Sequence, residues 1–183
     1  MISYRVIRSR RRTMSMEIRE GALLIRAPQW AGEAEIRTFV EKHRSWAEKH
    51  LKKAEAIREA GKEIRPLTEE ELRALAAEAL RVIPGRVRTW AEKIGVTYGR
   101  ITVRNQRTKW GSCTSRGNLN FNCLLMLAPP QVLDSIIVHE LCHRKVMNHS
   151  PAFYAEVLKA FPEYRTWEKW LKENGPLLMK RNP

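Results

Sequence analysis

Cysteine is scarce. The 183 residues hold three, Cys113, Cys123 and Cys142, an odd and small number that argues against a disulfide framework. None stands in a C-x2-C pair, the spacing of a structural zinc knuckle. Long apolar runs are missing too: nothing approaches the roughly 20 residues that cross a bilayer. The opening Met1 to Arg5 has no apolar h-region. Ser9-Arg10-Arg11-Arg12 faintly resembles a twin-arginine signal, yet the patch after it, Ala22 to Ile25, is too short. The expected location is therefore cytoplasmic, with no membrane partner. Internal repeats, low-complexity segments and a Walker-type glycine loop are also absent. Acidic residues are in deficit, 20 against 34 Lys and Arg, for a net charge of +14. That surplus draws polyanions over a distance, whether nucleic acid, nucleotides or acidic peptides, but says nothing about fold.

What is present fits a soluble globular protein: 43% hydrophobic and 30% charged residues. Residues 1–27 alternate with period two through Tyr4 and Val6, then Met14, Met16 and Ile18, then Leu23, Ile25 and Ala27. Broken by Glu20-Gly21, this reads as two or three antiparallel strands. Residues 31–59 read as one long helix, with Ile36, Phe39, Val40, Ala47 and Leu51 at three- and four-residue steps. His43 and His50 on it have no carboxylate or third histidine beside them and read as surface residues. Gly61 to Pro66 is the candidate linker. The expected division is therefore a strand-rich lobe with a long helix over 1–62 and a second domain over 63–183. Thr68 with Glu71 three residues on forms a capping box. The helix it starts either kinks or splits at Pro84 and stops at Gly95. Val96-Thr97-Tyr98, Ile101-Thr102-Val103 and Leu119 to Cys123 are strand-like, and Arg116-Gly117-Asn118 is a turn joining Trp110–Cys113 to the last of these. A strongly apolar helix begins after Pro129-Pro130. Another begins at Ser150-Pro151, and a last one ends near Asn174-Gly175, leaving a loose tail. The fold class is α+β.

Three of the five histidines fall within residues 139–149, as H-E-x-x-H-x5-H. Residues four apart share one face of a helix, so His139 and His143 reach the same point, as two ligands of a tetrahedral zinc site do. Glu140 then stands where a carboxylate takes a proton from a metal-bound water. His149, in the turn before Ser150-Pro151, is the preferred third ligand, and Glu156 on the next helix is the competitor. The metzincin pattern needs a Gly in that turn, whereas this chain has Val146, a residue ill suited to positive φ. Cys142 and Tyr154 read as packing residues.

Trp110-Gly111-Ser112-Cys113, the Asn-rich strand, Ala128-Pro129-Pro130, His139 to His143, Asn148 to Phe153 and the early Arg8 to Arg12 and Arg26-Ala27-Pro28 together resemble the YgjP-like family of small metal-dependent hydrolases, related to SprT-like zincin domains. The resemblance implies a minimal zincin-like fold, a small antiparallel sheet with helices. It implies His139, His143 and His149 as ligands of Zn²⁺ or another divalent transition metal, with Glu140 as base. An edge strand above the active helix would pair with extended peptide or protein substrate, at Trp110, Gly111 and Ser112, over a cleft floor of Asn120 and Asn122. The expected activity is a zinc-dependent metallopeptidase. The alternatives are a nucleoside triphosphate (for example UTP) pyrophosphohydrolase using Mg²⁺ or Mn²⁺, and a nucleic-acid-binding module with a structural zinc. Three imidazoles favour zinc over magnesium.

Overall fold

The computed structural model describes residues 2–19 and 21–183. The chain divides into two compact units, one up to Glu63 and one from Ile64. No described helix is long and apolar enough to cross a membrane.

The first unit contains β1 (Tyr4–Ser9), β2 (Ser15–Arg19), β3 (Ala22–Pro28), α1 (Glu33–Lys42) and α2 (Arg44–Ala60). Its three-stranded sheet has the order β1-β3-β2. β2 and β3 are antiparallel, but β1 runs parallel to β3 rather than antiparallel as expected. Alternation reports strands and faces, not neighbours. The most apolar strand takes the centre, and Leu23, Ile25 and Ala27 of β3 are fully buried against Ile36, Val40 and Ala47 of the two helices. The single long helix expected over 31–59 is two. At His43 the backbone leaves the helical region (φ −111°, ψ 18°). The His43 N–H bonds the Val40 carbonyl (3.1 Å), and its Nδ1 sits 2.8 Å from the Phe39 carbonyl that a continuous helix would have used. A side chain has replaced one rung of the ladder, the competition that breaks helices locally.

The second unit contains α3 (Glu69–Ile94), β4 (Ile101–Arg104), β5 (Gly111–Cys113), β6 (Leu119–Asn122), a 3-10 helix (Cys123–Leu127), α4 (Pro130–Cys142), α5 (Pro151–Ala160) and α6 (Tyr164–Met179). The Thr68 box is formed: Glu71 N–H donates to the Thr68 hydroxyl (3.2 Å) and Thr68 N–H to the Glu71 carboxylate (2.7 Å). Pro84 lies inside one continuous helix. The carbonyl it leaves without a donor is that of Leu80, whose side chain is 58% exposed, so the gap falls on the water side and costs little. Residues 96–98 are not a strand. The sheet order is β4-β6-β5, with β5 antiparallel to β6 and β4 parallel to it, so this small sheet is mixed. Gly117 turns the β5–β6 hairpin at φ 79°, a conformation a side chain resists. The last helix does not stop at Gly175 but runs through Pro176 to Met179. The tail beyond it is tied back, through Leu67 N–H to the Arg181 carbonyl (2.8 Å) and Asn105 to Asn182 (2.7 Å). α4 lies at the centre, with α3, α5, α6 and β5 packed on it. The architecture is α+β, with a small sheet laid beside the helix that carries the histidine motif.

Candidate metal centre

α4 is buried around most of its circumference. Val132, Leu133, Ile137, Val138 and Leu141 are all buried, which a helix shows only when it is surrounded. His139 lies in its last turn and His143 is the residue that caps it. Their rings meet edge to face, 5.0 Å between centroids, as the four-residue spacing requires. The chain then turns back through residues 144–149. Arg144 pins that turn: its guanidinium donates to the Thr97 carbonyl (3.1 Å) and the Ser115 carbonyl (3.0 Å). Ser150 and Pro151 start α5, although the Ser150 side chain makes no capping bond. Phe153 is fully buried and touches all three imidazoles, stacking on His143 at 4.5 Å. The outcome is a cluster in which one ligand atom from each of His139, His143 and His149 lies within 4.8 Å of the others. The Nε2 atoms of His139 and His149 are 3.0 Å apart.

These donors fit a divalent metal. Burial pushes the His139 pKa down to about 4, helped by the neighbouring His143 and His149, so its ring is neutral at neutral pH. Burial also lowers His143, against the pull of the Val146 carbonyl. Each of these two rings has its Nδ1 engaged, His139 by the Tyr164 hydroxyl (2.9 Å) and His143 by the Val146 carbonyl (3.2 Å). Partners at Nδ1 leave the Nε2 lone pairs for a metal, the usual means by which a protein fixes the tautomer of a ligating histidine. Two nitrogens held tetrahedrally at about 2.0–2.1 Å from one ion stand roughly 3.3 Å apart, close to the 3.0 Å between the His139 and His149 Nε2 atoms, and the three ligand atoms all lie within 4.8 Å of one another. Among the described residues no carboxylate joins the cluster.

Glu140 is 6% exposed and faces the same cavity of about 330 Å³, with Lys109, Gly111 and Cys113 on its walls. Burial raises its pKa to about 8, while the Lys109 charge and a hydrogen bond from the Cys113 backbone pull it down. Gly111 has a steric reason to be glycine. A Cβ there would lie 2.7 Å from Glu140 Oε1, 2.9 Å from its Cγ and 3.0 Å from Ile136 Cγ2. The bare backbone of β5 makes room for Glu140 itself.

The remaining sequence-derived candidates divide. Ser112 lines the cavity with Gly111. Trp110 faces a neighbouring cavity instead. Asn120 donates to the Ser112 hydroxyl (3.2 Å) and lies behind the strand. Asn122 is completely buried, so it cannot be a cleft floor. Its amide donates to the carbonyls of Gln106 (2.7 Å) and Lys109 (3.0 Å) and clamps the loop before β5. A polar residue alternating with buried apolar ones signals either a wet face or a satisfied interior group, and spacing alone does not separate them. Glu156 is paired with Lys145 at 2.7 Å and stands outside the histidine cluster. Cys142 is fully buried. Tyr154 packs under Arg165, 4.3 Å from its ring, and away from the cavity walls. Two residues were not singled out from the sequence. Tyr164 carries no local motif, and only the packing of α6 on α4 brings its hydroxyl to His139. Lys109 carries no local motif, and only the fold of its loop brings its charge to Glu140.

No curated protein matches the chain. Two solved structures are similar at low level, both metallopeptidase zymogens. Abylysin of Pyrococcus abyssi is 18% identical with a TM-score of 0.46, over 50% of this chain and 94% of that one. Jannalysin of Methanocaldococcus jannaschii is 22% identical with a TM-score of 0.45, over 50% and 95%. The profile of the YgjP-like metallopeptidase domain matches residues 12–75 and 68–174, nearly the whole length. With a three-histidine group that fits a divalent metal and a matched profile of this extent, the chain belongs to the YgjP-like metallopeptidase family and is a metal-dependent hydrolase.

Proposed function

We propose that the protein is a zinc-dependent peptidase in which His139, His143 and His149 hold the metal and Glu140 is the general base. The observation that carries this is one cavity in which three imidazole donors and one buried glutamate converge beside the edge strand β5. Three histidines favour zinc over oxygen-seeking magnesium. A zinc ion so held polarises a carbonyl and lowers the pKa of water bound to it to about 7.

The chain's own groups do the rest. A divalent ion held by the three histidines would pull the raised Glu140 pKa back down, and the ionised Glu140, seated against Gly111, then receives the proton of the attacking water and passes it to the leaving amine. Lys109, whose charge reaches Glu140, supplies a cation for the oxygen that becomes negative at the scissile carbonyl. β5 is an edge strand, so its free N–H and C=O groups can pair with an extended peptide and hold the bond over the cavity. Phe153 excludes water from behind the imidazoles.

The test has two readouts. Metal analysis of the purified protein should give close to one zinc per chain, lost in His139→Ala. Glu140→Gln should keep the zinc and lose peptide hydrolysis by at least about a hundredfold, the usual contribution of a general base. Hydrolysis of UTP or ATP, with peptides untouched, would overturn the peptidase reading while leaving the metal site in place.

A further inference from the structure

A second cavity, of about 350 Å³, is lined by residues that alternate in the chain with those of the metal cavity. Its walls are apolar: Trp110, Leu171, Gly175, Pro176 and Met179. Its rim is polar and carries Arg107, Glu168 and Lys172. Two elements tie it to the chemistry. The first is the loop before β5, where Lys109 lines the metal cavity while Arg107 and Trp110, its near neighbours in sequence, line this one. Asn122 clamps that loop from below, so the two cavities keep a fixed relation. The second is α6. Tyr164 at its start bonds His139, and Glu168 and Leu171 follow on the next two turns. At about 1.5 Å per residue, the stretch from Glu168 to Gly175 lies roughly 6–17 Å along the helix from Tyr164. An extended peptide advances about 3.3 Å per residue, so the cavity is within reach of a side chain a few positions from the bond at the metal.

At about 350 Å³ the cavity is at the small end of the range for ligand pockets and has room for one large side chain. Gly175 gives the slot its depth beside Trp110, because a Cβ there would be 3.2 Å from the indole Cζ2. Charge decides the rest. Glu168 is the rim's carboxylate, and both its oxygens are already held, by Arg165 at 3.0 Å and by Lys172 at 3.2 Å. Arg107 is exposed and makes no hydrogen bond or ion pair among the described residues. An apolar slot with an uncommitted guanidinium at its mouth recognises an apolar group that has a carboxylate next to it.

We propose that this slot is a substrate subsite of the peptidase, taking an apolar side chain of the substrate while Arg107 pairs with an adjacent carboxylate. The proposal rests on the peptidase reading for the nature of the substrate. The carboxylate comes from an acidic side chain or from a free C-terminus.

The experiment uses the full chain loaded with zinc and a set of quenched fluorescent peptides. Each has leucine or phenylalanine beside glutamate, glutamine or lysine, and each is made as the free acid and as the amide. Glutamate peptides should exceed lysine peptides in kcat/KM by about tenfold or more, the effect of one charge-assisted hydrogen bond. Arg107→Glu should reverse the order. A preference for glutamate that survives amidation identifies the side chain as the anion, whereas a preference for free acids over amides, equal for the glutamate, glutamine and lysine peptides, identifies the C-terminus. Calorimetric binding of the leucine–glutamate peptide to Glu140→Gln, with and without Arg107→Glu, separates the two readings. Binding that depends on Arg107 without cleavage by the parent chain keeps the slot and sinks the peptidase. Cleavage with equal effects of Arg107→Glu on all peptides sinks the slot alone. Neither cleavage nor Arg107-dependent binding overturns both.

Discussion

Tyr164 shows how one hydroxyl governs a metal site that it does not enter. It is 4% exposed, and its oxygen is 2.9 Å from His139 Nδ1. Tyr164→Phe keeps the ring and removes only that partner, so the ring of His139 loses its tautomeric preference. Zinc affinity, measured by competition with a chelator, should fall about tenfold or more while the metal-free protein melts at nearly the same temperature. An unchanged affinity would show that packing against Phe153 alone orients His139. Gly111 makes a complementary case. Gly111→Ala drives a methyl against Glu140, at 2.7 and 2.9 Å, and Ile136, at 3.0 Å, so that the Glu140 side chain must shift. That variant should retain one zinc per chain and lose hydrolysis at least about tenfold, which metal analysis beside a peptide assay would reveal. The two substitutions thus divide the centre into a half that holds metal and a half that moves protons.

Among the elements, α3 and α4 are held by different forces. α4 is stabilised by burial, and truncating a core side chain such as Leu141 to alanine costs roughly 2–5 kcal/mol. α3 buries only one face, with Ile83 and Val87 fully buried in the core, and to that burial it adds a formed cap at its start. Removing the Thr68 hydroxyl, as in Thr68→Ala, costs about 1 kcal/mol and should lower the melting temperature by a few degrees. The same cap carries a pH dependence. The Arg65 guanidinium first, and then the Thr68 N–H, hold the Glu71 carboxyl at about 2 instead of 4.5. The unfolded chain therefore takes up this proton before the folded one does. The contribution of Glu71 is complete above about pH 4.5 and is lost as the pH falls through about 2. The difference in melting temperature between the parent chain and Glu71→Gln should shrink over that window. A difference constant with pH would mean that the carboxylate contributes nothing through its charge.

At the scale of the whole molecule, net charge sets encounter rather than architecture. We propose that +14 draws in anionic partners, whether acidic peptides, nucleotides or nucleic acid. Screening shortens the reach of such a field from about 10 Å at 0.1 M salt to about 3 Å at 1 M. Hydrolysis of an acidic peptide should therefore slow severalfold in kcat/KM across that range, while a neutral peptide of equal length changes little. Equal salt sensitivity for both would assign the effect to the protein's own stability. Division into two units adds a second whole-chain property. The matched family profile spans residues on both sides of Glu63, so the first unit is part of what defines this family.

Local chemistry alone determined a good deal. The helix carrying His139 and His143, the Thr68 cap, the β5–β6 turn at Gly117 and the start of α5 at Pro151 all follow from spacing and from the few residues each backbone geometry admits. Only tertiary structure decided the rest. It made β1 the parallel neighbour of β3, because burial chooses which strand is central. It broke the first long helix at His43 and carried α3 through Pro84, since each outcome depends on where a freed carbonyl finds a partner or water. It buried Asn122 as a clamp and committed Glu156 to Lys145. It also brought Tyr164 to His139 and Lys109 to Glu140 from residues 25 and 31 positions away. A sequence records which residues can ligate a metal or move a proton. Which distant side chains orient those residues is decided by packing, which depends on the whole fold.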